Sequence, residues 1–83
     1  MNTIKELVSV IEEILMKKGK PVKITPDTSL FNSGLLDSVS SIELIISLKK
    51  RFGVDLYVDG FEMADIDSVE KIQLKINQDN KQD

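Results

Sequence analysis

Eighty-three residues, 41% hydrophobic and 30% charged, suffice for one small soluble core and leave no room for a second. The chain has no cysteine and no histidine, which excludes a disulfide framework, a thiolate zinc site, a cysteine nucleophile and the usual histidine base or Ser-His pair. A net charge of −3, with an isoelectric point near 4.9, argues against nucleic acid as the main partner.

Residues 3 to 18 read as an amphipathic helix, because Ile4, Leu7, Val8, Ile11, Ile14 and Leu15 recur at helical spacing along one stripe. Thr3 and Glu6 have the spacing of a capping box, Gly19 suits the position just past the helix, and Pro21 blocks continuation. Residues 19 to 37 then form a long connection carrying Gly19, Pro21, Pro26, Asn32 and Gly34. Loops of this length are uncommon in small domains unless they have a task. Leu30, Phe31, Leu35 and Leu36 are expected to tuck into the core, with a short helical turn around Asp27 to Phe31.

A second helix is predicted over residues 38 to 52, stopped by Gly53, with Ile42, Leu44, Ile45, Leu48 and Phe52 on its buried arc. Val39 and Ile46 fall together on a neighbouring arc beside Glu43. Two readings of that arc stay open: a widened core face, or a surface for partners. Residues 53 to 60 alternate in polarity at Val54, Leu56 and Val58, but no second strand is available, so they read as an extended connector. One short helical turn over 61 to 66 leads to a last helix from Ser68 to Asn77. There Asp67 serves as N-cap, Glu70 completes an Asp-x-x-Glu box, and Val69, Ile72 and Ile76 form the buried stripe, off which Leu74 falls.

The expected architecture is therefore all-α: three main helices, a short fourth, and a long loop between the first two. The core is expected to include Leu7, Ile11, Ile42, Ile45, Leu48, Phe52, Val69 and Ile72. One domain over residues 1–78 is followed by a polar tail, 79–83. No apolar run approaches the ~20 residues of a membrane span, and MNTIKELVSV lacks the pattern of a signal peptide, so a cytoplasmic location is expected. The stretch holding Asp55, Asp59, Glu62, Asp65, Asp67 and Glu70 contains no Lys or Arg, and the triplet Lys49-Lys50-Arg51 precedes it. It is either a solvated face or a docking surface for basic partners.

Asp37 as N-cap places Ser38 in the first turn of the second helix, with its hydroxyl at the positive helix end. A phosphate attached there would meet unsatisfied amides. Ordinary capping accounts for the same residues, and Ser40 with Glu43 has the spacing of a capping box of its own.

The run Gly34-Leu35-Leu36-Asp37-Ser38-Val39 resembles the Asp-Ser-hydrophobic attachment motif of acyl and peptidyl carrier proteins. The resemblance extends over nearly the whole chain: the first helix, the loop with Asp27 and Leu30-Phe31, the Glu43-Leu44 pair, Phe52-Gly53, and Ile66-Asp67-Ser68-Val69 before the last helix. It implies a four-helix bundle that is a carrier and no enzyme. Ser38 would receive 4'-phosphopantetheine from coenzyme A, with Asp37 as motif residue and helix cap. The arm would then supply the thiol that the cysteine-free chain lacks, and cargo would ride as a thioester. The implied partners are a phosphopantetheinyl transferase with its magnesium and an acyl- or aminoacyl-activating ligase or synthase. They would dock on the second helix through Val39, Glu43 and Ile46, with Glu62 following. No metal ligands are implied, and the carrier is expected to be a monomer.

Fatty-acid-synthesis carriers usually have an acidic residue two positions after the serine, where this chain has Ser40. The segment LFNSGLLDS and the region from Gly53 through Phe61 look more like D-alanyl carrier proteins. D-alanyl or aminoacyl cargo ranks first, a specialised acyl or polyketide pathway second, and general fatty acid synthesis third. The rival of another class is a helical interaction domain without a prosthetic group.

Overall fold

A computed structural model describes residues 3–80. Helix α1 spans Thr3–Lys17, α2 Ser38–Phe52, α3 Leu56–Asp59 and α4 Val69–Asn80, with a 3-10 turn at Met63–Ile66 between the last two. No strand occurs among the described residues, and no helix there is long and apolar enough to cross a membrane.

Helix α1 buries Leu7, Ile11, Ile14 and Leu15 as its periodicity requires, and adds Val10. Ile4 and Val8 are half-buried at the edges of the stripe. Thr3 is the first helical residue rather than the cap, so the capping position lies outside the described residues. At the other end Gly19 has φ +76°, and the Gly19 amide donates to Met16 O at 3.0 Å while the Lys20 amide donates to Leu15 O at 2.9 Å. These paired bonds satisfy the last carbonyls and form a Schellman ending, which needs a residue at ease with positive φ.

Helix α2 buries Ser40, Ser41, Leu44, Ile45 and Leu48, and Phe52 packs half-buried against the same core. Ile42 was expected in that core but is 49% exposed. At 100° per residue it stands about 120° from Leu48 and only about 40° from Ile46, so it belongs with Val39 and Ile46 on the outer flank. The two buried serines occupy the space that a bulkier side chain would contest.

Residues 53–60 are not an extended connector. Asp55 caps α3, its carboxylate accepting from the amides of Tyr57 at 3.1 Å and Val58 at 3.3 Å. Val54 and Leu56 are buried while Val58 is 81% exposed. With no neighbouring strand to take its backbone groups, the segment satisfies them internally by turning. The helical turn expected around Asp27 to Phe31 is likewise absent: this stretch consists of turns and bends, opened by a Thr28 amide to Thr25 O bond of 3.1 Å. Helix α4 begins one residue later than expected, at Val69, because Ser68 rather than Asp67 caps it, accepting from the Lys71 amide at 3.3 Å. It buries Val69, Ile72 and Ile76, and Leu74 is exposed. The helix continues to Asn80, so the expected tail lies partly in α4 and partly outside the described residues.

Helix α1 packs against both α2 and α4, α4 packs on the 3-10 turn, and α3 packs on α2. The long connection fills the remaining space with buried Ile24, Leu30 and Leu36. Its backbone is stitched to distant elements. The Ile24 amide donates to Glu12 Oε2 at 3.0 Å, the Leu30 amide to Asp67 O at 2.6 Å, and the Glu70 amide to Pro26 O at 3.1 Å. Asp67, freed from capping, accepts from the Ser29 hydroxyl and from the amides of Phe31 and Asn32. A loop this long stays ordered because its polar backbone finds partners at the far end of the chain.

Candidate functional site at the start of the second helix

The loop delivers residue 37 to the head of α2 in an extended conformation, and the Asp37 carboxylate caps the helix. Its Oδ1 accepts from the Ser40 amide at 2.9 Å and from the Ser40 hydroxyl at 3.0 Å. These two bonds hold the Asp37 carboxyl below its ordinary value, and the positive charge of Lys18 adds to the effect. Ser40 is fully buried and committed to Asp37, so the Ser40–Glu43 box does not form. Glu43 instead faces Lys18, with Nζ 3.8 Å from Oε1. The second cation at this edge, Lys20, donates from Nζ to Gly34 O at 3.5 Å.

Ser38 occupies the first turn with an exposed side chain. Its carbonyl accepts from the Ser41 hydroxyl. Its own hydroxyl has no hydrogen-bond partner among the described residues, and the adjacent carboxylate is a poor proton acceptor because two donors already hold it as the anion. The site thus presents an accessible primary alcohol without a base. An alcohol with no activating base is a weak nucleophile. An arm joined through a phosphodiester fits here: no described residue competes for the hydroxyl, and Lys18 supplies positive charge felt at the neighbouring Asp37.

The outer flank of α2 carries Val39 at 62%, Ile42 at 49% and Ile46 at 46% exposure, an apolar strip beginning next to Ser38. Glu43 lies half-buried on this flank and Glu62 is exposed beyond α3. Tyr57, Val58 and Met63 are further exposed apolar residues of the segment after α2. The acidic stretch is not one solvated face. Asp55 pairs with Lys49 at 3.1 Å and Asp65 with Lys75 at 3.8 Å, while Asp67 is buried in the loop. The side chain of Asp59 lies outside the described set. Reading of the sequence missed Lys18, Ser40 and Ile42. The signals were present for two of them: a serine three residues after an aspartate cap, and an isoleucine four residues before Ile46 on the same flank.

The family model described as "Phosphopantetheine attachment site" matches residues 5–72. The chain belongs to this family of carriers, which hold a covalently attached 4'-phosphopantetheine and catalyse nothing themselves. Within that class it is similar to D-alanyl carrier proteins. It is 40% identical over 57 residues to the one from Lacticaseibacillus rhamnosus, covering 69% of this chain and 70% of that protein. It is 36% identical over 67 residues to that of Streptococcus sanguinis, covering 81% of each. With that of Streptococcus suis it shares 33% identity over 72 residues, 87% of each chain.

Proposed function

We propose that Ser38 is the attachment residue and that the loaded protein carries D-alanine as a thioester on the arm. The observation that supports the first part is the exposed, unpartnered Ser38 hydroxyl on the first turn of α2 beside a carboxylate held ionised. In the attachment step Ser38 Oγ forms a new bond to phosphorus, coenzyme A loses its nucleotide portion as the leaving group, and the hydroxyl proton passes to a base of the transferase. Asp37 does not take that proton, being occupied by Ser40. D-alanine as cargo is supported by the similarity to D-alanyl carrier proteins, and by Ser40 standing where fatty-acid carriers have an acid.

The strip of Val39, Ile42 and Ile46, with Glu43 and Glu62, is the proposed docking surface for the transferase and for an amino-acid-activating ligase. An apolar centre with charged surroundings is the usual anatomy of a transient interface. A cytoplasmic location accords with these partners, because the coenzyme A and ATP they use are found there.

The test is intact mass after incubation with coenzyme A and a broad-specificity phosphopantetheinyl transferase. One added arm is expected on the wild type and none on Ser38→Ala; an arm on Ser38→Ala, or none on the wild type, overturns the assignment. Loading of the holo form by a D-alanine-activating ligase with ATP, read as a hydroxylamine-labile label, tests the cargo. Loading instead by an acyl-activating enzyme would overturn the D-alanine reading and keep the carrier.

A further inference from the structure

Lysines 18 and 20 leave the end of α1 in opposite directions along the attachment segment. One reaches Glu43, five residues after Ser38, at 3.8 Å; the other reaches the Gly34 carbonyl, four residues before it, at 3.5 Å. Neither partner is a strong one. The Lys18–Glu43 separation is long for an ion pair, Glu43 is 44% exposed at its side chain, and such pairs are weak and screened by salt. The Lys18 side chain is 25% exposed, against 44% for Glu43, and its charge is felt at the head of α2 as well as at Glu43. That head already carries the Asp37 carboxylate, which Lys18 favours in its charged form.

Resting on the reading of Ser38 as attachment residue, we infer that Lys18 is a positioning residue which exchanges Glu43 for the phosphodiester of the arm when the protein is loaded. The phosphodiester adds a permanent negative charge next to Asp37. The Lys18–Glu43 contact lies at the limit of an ion pair, so the shared cation moves to the side where two anions now stand. Glu43, on the same flank as Val39 and Ile46, is released. The loaded carrier then presents a free anion within its apolar strip that the unloaded carrier keeps neutralised. Partners with a basic side chain facing that strip gain a way to tell the two forms apart.

The experiment compares unloaded and loaded forms of the wild type, Lys18→Met, Lys18→Arg and Glu43→Gln, each with its arm verified by intact mass. Two readouts are taken: the phosphorus NMR resonance of the arm, and the change in melting temperature on loading. Loading should raise the melting temperature of the wild type and of Lys18→Arg. The gain should be lost in Lys18→Met and enlarged in Glu43→Gln, where Lys18 has no earlier partner to leave. The phosphorus resonance should move in Lys18→Met and return in Lys18→Arg. Equal gains in all four proteins with an unmoved resonance overturn the inference while leaving Ser38 as the attachment site. A chain that never takes up the arm fails the attachment reading itself, and this inference with it.

Discussion

The carboxylate of Asp67 accepts a hydrogen bond from the backbone amide of Phe31 at 2.8 Å, across a separation of 36 residues. The same oxygen accepts from the Asn32 amide at 3.1 Å, and the other oxygen from the Ser29 hydroxyl at 2.8 Å. One side chain just before α4 thus holds the stretch of loop that leads to the head of α2.

Replacing Asp67 with Ala strips acceptors from two part-buried amides and a hydroxyl. The expected loss is about 3 kcal/mol, a large share of the stability of so small a domain, read from urea denaturation. A loss under about 1 kcal/mol would mean the loop is held by its apolar residues alone.

The acid limb of stability follows from three carboxylates. Burial pushes Asp67 up, but the Ser29 hydroxyl, the Phe31 and Asn32 amides and Lys71 together hold it below its ordinary value. The Lys49 ammonium lowers Asp55 and the Ser40 amide lowers Asp37. A carboxylate whose folded value lies below its unfolded one of about 3.9 stabilises the fold fully above that pH. The contribution is lost as pH falls through the folded value. With no histidine in the chain, no side chain titrates ordinarily between about 5 and 8, so a plateau is expected there. Melting curves from pH 8 to pH 2 should show it, with a shallower acid limb in Asp67→Asn; a steep slope near neutrality would contradict the argument.

Two neighbouring apolar residues of α2 should behave oppositely. Leu44 is fully buried, so Leu44→Ala should cost roughly 2–5 kcal/mol, whereas Ile42→Ala on the exposed flank should stay within about 1 kcal/mol of wild type. Comparable losses at both positions would return Ile42 to the core.

The apolar flank itself is checked by Val39→Asp and Ile46→Asp. Both positions are exposed, so the melting temperature should change little. Transfer of the arm should slow by about tenfold or more, as for truncation of an interface anchor. Normal transfer rates with both variants would remove this flank from the docking surface; unfolding would show that the flank is structural.

Much of the frame was legible locally. The α1 stripe, Gly19 and Gly53 at positive φ, and Asp37 as cap all follow from residues within a turn or two of one another. So does the place of Ser38 in the first turn of α2. Asp67 misled because its aspartate-x-x-glutamate spacing matches a cap, while the partners that claim it lie in a loop no local pattern connects to it. Val54, Leu56 and Val58 misled because alternation marks a strand only where another strand pairs with it. The Lys18–Glu43 contact joins the turn after α1 to α2, and nothing in either segment alone announces it.

The tether between the loop and the start of α4 also ties two regions to one opening event. The amides of Leu30, Phe31 and Asn32 are protected only while Asp67 is in place, and the Glu70 amide only while Pro26 is. Undocking of α4 from α1 therefore unlocks the loop that presents residue 38, even though neither α4 nor its buried Ile72 and Ile76 stands beside the head of α2 in sequence. In hydrogen-exchange terms the start of the last helix and the loop are expected to open as one cooperative unit. A change that loosens the C-terminal helix would register first as a poorly presented serine rather than as a fully unfolded protein.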